Sequence, residues 1–322
     1  MRPYAKSWSY LVLLSALLLL LSQCSQNRPE AKGRGFRPNP AATLADAYAP
    51  WVNPKLSRPD RKKLPSDLLE ALGEKSLQDR DFETSLLHFL EILKHEPARY
   101  DLRYKVGVIF LLTGQLEAAR RELALVLLHR PEMLEAHEAL GLVHLQEKQY
   151  PLALQEFQTV LTQDPKRAKA RYLLGISLLE AGQAAKALPH LKEAAALEPR
   201  QAHPHIALGD AYLRLKDYQQ ALNCLKKAQM LAPQNQKLHY HLGLALAGQK
   251  RYPEALEAFL RAGDEAQAYN NIGVHYFMDG CYEEAARCFQ RALELRPTFY
   301  HEAKANLNRA LEKLHQVQNN DG

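Results

Sequence analysis

Residues 134–167 read LEAHEALGLVHLQEKQYPLALQEFQTVLTQDPKR, two apolar-periodic stretches separated by a polar turn and closed by a proline. Within this stretch Gly141, Ala153, Phe157 and Pro165 recur along the chain at a period of 34 residues. The glycines fall at Gly73, Gly107, Gly141, Gly175, Gly209, Gly243 and Gly273, each preceded by a branched aliphatic side chain. Twelve residues beyond them stand Ser85, Ala119, Ala153, Ala187, Ala221, Ala255 and Ala285, and four further on Phe89, Leu123, Phe157, Leu191, Leu225, Phe259 and Phe289. Prolines at 97, 131, 165, 199 and 233 keep the step, and Pro297 resumes it. Small residues where two helices cross, a bulky one filling the gap and a proline ending the second helix make each unit a helical hairpin.

The pattern resembles the tetratricopeptide repeat (TPR), W-x2-L-G-x2-Y followed by A-x3-F and P. The resemblance implies an all-α TPR superhelical solenoid with seven helix-turn-helix units over 66–299, starting at 66, 100, 134, 168, 202, 236 and 266. Residues 300–316 keep helical apolar spacing without a following partner helix and read as a C-terminal capping helix; 317–322 read as a disordered tail. From 236 to 266 the step is 30, the repeat proline is missing and Gly263-Asp264 interrupts the second helix. Four residues is about one helical turn, so the last unit is expected at a changed angle to the first six.

The chain has 322 residues, 47% hydrophobic and 24% charged, which excludes a wholly disordered, collagen-like or disulfide-scaffold protein. The net charge of +6 is not spread evenly. Residues 1–24 carry Arg2 and Lys6 and no acid, and 25–65 carry nine Lys/Arg against Glu30, Asp46 and Asp60, so the repeat region sums to minus two. A nucleic-acid partner is therefore not expected.

Arg2 and Lys6 precede the apolar run Leu11–Leu21, which is short for a membrane span and right for a signal-peptide core over residues 1–23. Leu21-Ser22-Gln23-Cys24 resembles the lipobox of bacterial lipoproteins, in which a cut before the cysteine lets its thiol carry diacylglycerol. The resemblance implies lipidation at Cys24 and, with Ser25 next, sorting to the outer membrane. Gln23 stands where that family prefers Gly, Ala or Ser, and simple secretion or an uncleaved anchor are the alternatives. Residues 24–65 hold seven prolines with no apolar period and read as an extended tether. Its basic residues Arg28, Lys32, Arg34 and Arg37 either keep the segment soluble or adhere to anionic head groups.

Nothing in the motifs argues for catalysis, a cofactor or a metal. No H-E-x-x-H, C-x-x-C, EF-hand, phosphate-loop or nucleophile-elbow spacing occurs, and 322 residues filled by repeats leave no room for a catalytic domain. His203/His205 and His239/His241 are spaced i, i+2, which puts each pair on different helix faces. Cys224 and Cys288 read as small hydrophobes of second helices, and Cys281 is too far from Cys288 along a helix to bond it.

The TPR resemblance places a ligand groove on positions 2, 5, 9, 12 and 13 of the first helices. The candidate partner-groove residues are Tyr104, Val108, Leu142, Tyr172, Ile176, Ile206, Tyr240, Leu244, Asn270 and Val274. The family's carboxylate clamp needs an Asn at position 9, and no unit has one. The groove suits an apolar or amphipathic protein segment. Alternatively, several of these side chains pack against neighbouring helices or are covered by the chain's own linker through Trp51.

Lipidated terminus, tether and array together resemble envelope lipoproteins that assemble pili and secretins, notably type IV pilus pilotins and the TPR lipoprotein of tight-adherence pilus systems. They imply a non-enzymatic scaffold of the bacterial cell envelope, facing the periplasm from the outer membrane. The alternative is a membrane-anchored regulatory adaptor with its array in the cytoplasm.

Overall fold

The computed structural model describes residues 64–296 and 300–320, with the side chain of Asn320 excepted. The expected signal peptide, Cys24 and the expected tether up to residue 63 lie outside the described residues. Every described element is an α-helix, and there are fifteen: α1 Ser66–Gln78, α2 Phe82–His95, α3 Tyr100–Leu112, α4 Leu116–His129, α5 Leu134–Gln146, α6 Tyr150–Gln163, α7 Ala168–Glu180, α8 Ala184–Leu197, α9 Ala202–Arg214, α10 Tyr218–Leu231, α11 Gln236–Gly248, α12 Tyr252–Arg261, α13 Glu265–Met278, α14 Tyr282–Leu295 and α15 His301–Asn320. The first helices begin within one residue of the starts read from the period. The chain divides into two compact units between Ala170 and Arg171.

The turn inside each hairpin has one construction. The fifteenth residue of each unit is left-handed, with φ between 60° and 80°: Arg80, Gly114, Lys148, Gly182, Lys216, Lys250 and Gly280. The next amide then reaches back five residues to a carbonyl of the first helix, as in Asp81 N to Ser76 O and Gln149 N to His144 O, both 2.8 Å. This is the Schellman closure, which satisfies carbonyls that the helix end would leave bare. Asp81 and Asp217 then cap the next helix, each accepting from the amide three residues on at 3.1 Å.

The recurring glycine is a point of close approach. A Cβ on Gly141 would stand 2.7 Å from Phe157 Cε1, and one on Gly209 2.5 Å from Leu225 Cδ2. Second helices lie directly on first helices here, and the bulky residue read from the repeat fills the crossing. Phe89, Phe157, Phe259 and Phe289 are accordingly among the largest fully buried side chains.

Two local departures follow from sequence. Helix α12 has 10 residues where the other second helices have 14. It stops before Gly263, at φ 135°, and Asp264 caps α13 by accepting from Gln267 N at 2.9 Å. One apolar cluster, Ala247, Ala255, Phe259, Ala268 and Ile272, still joins α11, α12 and α13. Helix α15 continues through 317–320, which were expected to be a disordered tail. Gln316-Val317-Gln318-Asn319 contains no Gly or Pro to end it, and Gly322 is the first breaker reached. Counting from the start at 300, Leu307 of α15 occupies the register that is glycine in all seven units. Among the described residues no second helix follows α15 to demand a small residue, and Leu307 packs against the cluster of Ala285, Phe289 and Ala310.

Candidate functional site

In residues 64–170 the candidate groove residues are closed. Tyr104, Val108 and Leu142 have 0% exposure. Between them the face carries ion pairs: Glu70 accepts from Arg99 at 2.8 Å, and fully buried Glu138 from Arg167 at 2.6 Å, with Lys169 at 3.1 Å. Burial pulls the Lys169 ammonium down against the attraction of Glu138. Units 1 and 3 thus place a paired glutamate where units 2, 4 and 6 place a tyrosine.

In residues 171–320 the same positions divide. Tyr172 and Ile206 are buried, with the Tyr172 ring edge-on to His203 at 4.6 Å between centroids. Asn270 is buried and accepts from Asn306 Nδ2 at 3.1 Å, so it binds α15 to α13. Ile176, Leu244 and Val274 are half-buried. Tyr240 is 37% exposed, its ring tilted against Phe259 at 5.9 Å. Position 13 of the last unit, not singled out from sequence, puts Met278 out at 70% exposure. The open apolar side chains therefore lie on α11 and α13.

A charged cluster borders them. Arg214 donates to Asp210 at 3.2 Å and to Glu180 at 3.1 Å. Burial alone would raise the Asp210 carboxyl, but the charge and hydrogen bond of Arg214, with Lys237 beyond, hold it below the ordinary range. Burial pushes His241 down to about 4, so the imidazole is neutral at physiological pH, and its Nδ1 has no hydrogen-bond partner among the described residues. Burial also lowers Lys237, against the attraction of Asp210 and Glu180.

The histidines acquire a role that the sequence reading missed. Arg103 Nε donates to Pro97 O at 2.8 Å, His137 Nε2 bonds Pro131 O at 3.0 Å, and His239 Nε2 bonds Pro233 O at 2.7 Å. His205 likewise bonds the Pro199 carbonyl. Position 4 of a unit thus ties back to the proline that closed the unit before. Arg103 and His137 use their remaining donors on Glu122 at 2.9 Å and Glu156 at 2.6 Å, and the Glu156 bond raises His137 above its ordinary value. The signal was present as P-x5-[RH], repeated five times with Arg at 103 and 171 and His at 137, 205 and 239.

Among the described residues no group of His, Cys, Asp and Glu is arranged to hold a metal, and no helix is long and apolar enough to cross a membrane. Cys224, Cys281 and Cys288 are free thiols, and burial pushes Cys288 up to about 11, which makes it a poor nucleophile.

Three family models, each described as tetratricopeptide repeat, match residues 71–131, 144–188, 178–230, 206–271 and 266–299. No curated protein matches the chain. Among solved structures, a tetratricopeptide repeat protein from Parabacteroides merdae is similar at 15% identity and TM-score 0.58, over 76% of this chain and 98% of that one. The Cut9–Hcn1 hetero-tetramer of the APC/C is similar at 19% identity and TM-score 0.57, over 84% of this chain and 52% of that one. At these identities the likeness concerns the fold. Tetratricopeptide repeats are in general protein-interaction scaffolds and typically non-enzymatic. With the repeat matched over about two thirds of its length and a helical hairpin standing at each unit, the chain belongs to the tetratricopeptide-repeat family.

Proposed function

We propose that the protein is a non-enzymatic scaffold of the bacterial cell envelope, held at the outer membrane by lipid on Cys24. It presents the α11–α13 face to an apolar or amphipathic segment of a pilus, secretin or secretion-complex component. The observation that carries this reading is the exposure of Tyr240 and Met278, beside half-buried Leu244 and Val274, in a family of protein-binding modules. A tyrosine ring supplies rigid contact area with a hydroxyl at its edge, and methionine adapts to the shape of what it meets.

Affinity capture from membranes with the full chain tests it, beside a Tyr240→Ala plus Met278→Ala variant. The partner's identity should be an envelope assembly component, and the variant should lose it while keeping its helical content. Undiminished capture by the variant would move the binding face elsewhere. Palmitate labelling, abolished by Cys24→Ala, tests the anchor separately; an unlabelled protein with its array in the cytoplasm would favour the regulatory adaptor.

A further inference from the structure

The charge of the repeat region is itself uneven. Residues 181–253 carry ten Lys/Arg against Glu193, Glu198, Asp210 and Asp217, a balance of +6 inside a region that sums to minus two. All four acids are engaged: Glu193 pairs with Arg171, Glu198 stands 3.8 Å from His203, Asp210 accepts from Arg214, and Asp217 caps α10. From 218 to 253, a stretch that includes all of α10, there is no Asp or Glu.

Four of the basic side chains stand on the outer faces of two second helices. Lys186 and Lys192 of α8 and Lys226 and Lys227 of α10 are exposed, and none is in an ion pair among the described residues. The Lys192 ammonium lies 5.8 Å from the centroid of the Tyr212 ring. Burial pushes the Cys224 thiol of α10 up while Lys227 and Lys192 pull it back, so lysines of both helices surround one point. Beside them are aliphatic side chains in the open: Met230 at 80% exposure, Leu231 at 41%, and Leu197 at 43% at the end of α8. Positions 223, 226, 227 and 230 fall on one stripe of α10. The face thus offers unpaired positive charge and aliphatic surface together.

We propose that the α8–α10 face rests on an anionic lipid surface, its lysines among the head-group phosphates and Met230 and Leu231 at the acyl boundary. A lysine stem runs along apolar surface while its ammonium stays in water, which suits a bilayer interface. A nucleic acid would draw on arginine forks and aromatic platforms, and the exposed faces of α8 and α10 hold neither. The partner reading is separate. It uses Tyr240 and Met278 of first helices, so both faces can be occupied at once, and the lysine face needs no lipid on Cys24.

Vesicle sedimentation with the full chain carrying Cys24→Ala, so that no lipid anchor contributes, tests it. On vesicles of phosphatidylcholine mixed with phosphatidylglycerol, each lysine near the surface is worth about fivefold in partition, so Lys226→Gln plus Lys227→Gln should bind about twentyfold more weakly. Lys304→Gln plus Lys313→Gln on α15 removes the same charge elsewhere and should leave partition unchanged. Met230→Ser should weaken the binding that survives at a salt concentration that screens the lysines. The basic residues before α1 are the same in every variant and cancel from the comparison. Equal binding by the parent and the Lys226/Lys227 variant would overturn the proposal. So would losses of the same size from both lysine pairs, which would mean attraction by net charge alone. Lysine-dependent binding of polyglutamate or an oligonucleotide, without binding to vesicles, would overturn it in favour of an acidic macromolecule.

Discussion

Replacing Gly243 by alanine sets two effects of known size against each other. In the interior of a helix the exchange is worth about 1 kcal/mol in favour of the variant, because alanine loses less backbone freedom on folding. At this position the new methyl would stand 2.5 Å from Phe259 Cδ1 and Cε1 and 2.8 Å from Cγ. Phe259 has little room to yield: it is 2% exposed, clustered with Ala247, Ala255, Ala268 and Ile272, and flanked by the Tyr240 ring. Overpacking of this kind costs about 1–3 kcal/mol, and an approach this close belongs at the upper end. The net expectation is a loss of about 2 kcal/mol. Phe259→Ala alone should cost about 3–5 kcal/mol, and in that background the Gly243→Ala exchange should turn stabilising by about 1 kcal/mol. The coupling is then about 3 kcal/mol, read from urea denaturation of the four proteins and localised by amide exchange in α11 and α12. Gly243→Ala raising the midpoint in both backgrounds would refute the close-approach account of the repeat glycine.

Three further outcomes are expected. His239→Leu removes the bond to Pro233 O and should lower stability by about 1 kcal/mol, with faster amide exchange at the start of α11. Lys148→Gly and Lys216→Gly place glycine where φ is 60° and 62°, and each should raise the urea midpoint by an amount near 0.5–1 kcal/mol. His241 has a folded pKa of about 4 against 6.5, so its contribution is full above the unfolded value and is lost as pH falls from 6.5 towards 4. The loss is about 3 kcal/mol, drawn against the fixed neighbours Asp210, Arg214 and Lys237, and His241→Asn should flatten that part of the pH–stability curve.

The helix pairs were readable because their signals are local and repeated. A proline, a glycine and an alanine mean the same thing in every unit, so Gly209 and Gly243 could be placed on helix crossings without a structure. Exposure is different, since it depends on what lies across from a side chain. Tyr104 and Tyr240 hold the same position of their units, yet the first is buried and the second open. The repeat alone could not separate them. The tie from position 4 to the preceding proline was legible in principle, but Arg103 and His137 share a hydrogen bond rather than a residue type. The extension of α15 to Asn320 was missed because loss of apolar spacing was read as loss of helix, although a polar helix needs only the absence of a breaker.

Leu307 bears on how such an array is built or altered. Each of the seven units accepts a second helix because its first helix offers a bare glycine backbone to lie against. In α15 the same position carries the Leu307 side chain, so a second helix would meet no bare backbone there. A second helix added after residue 320 to complete a hairpin with α15 would find no landing place, and neither would the second helix of another molecule seeking to swap in there. Extending the protein by repeat grafting should therefore begin with Leu307→Gly, a change inside the existing chain, before any residue is added to it.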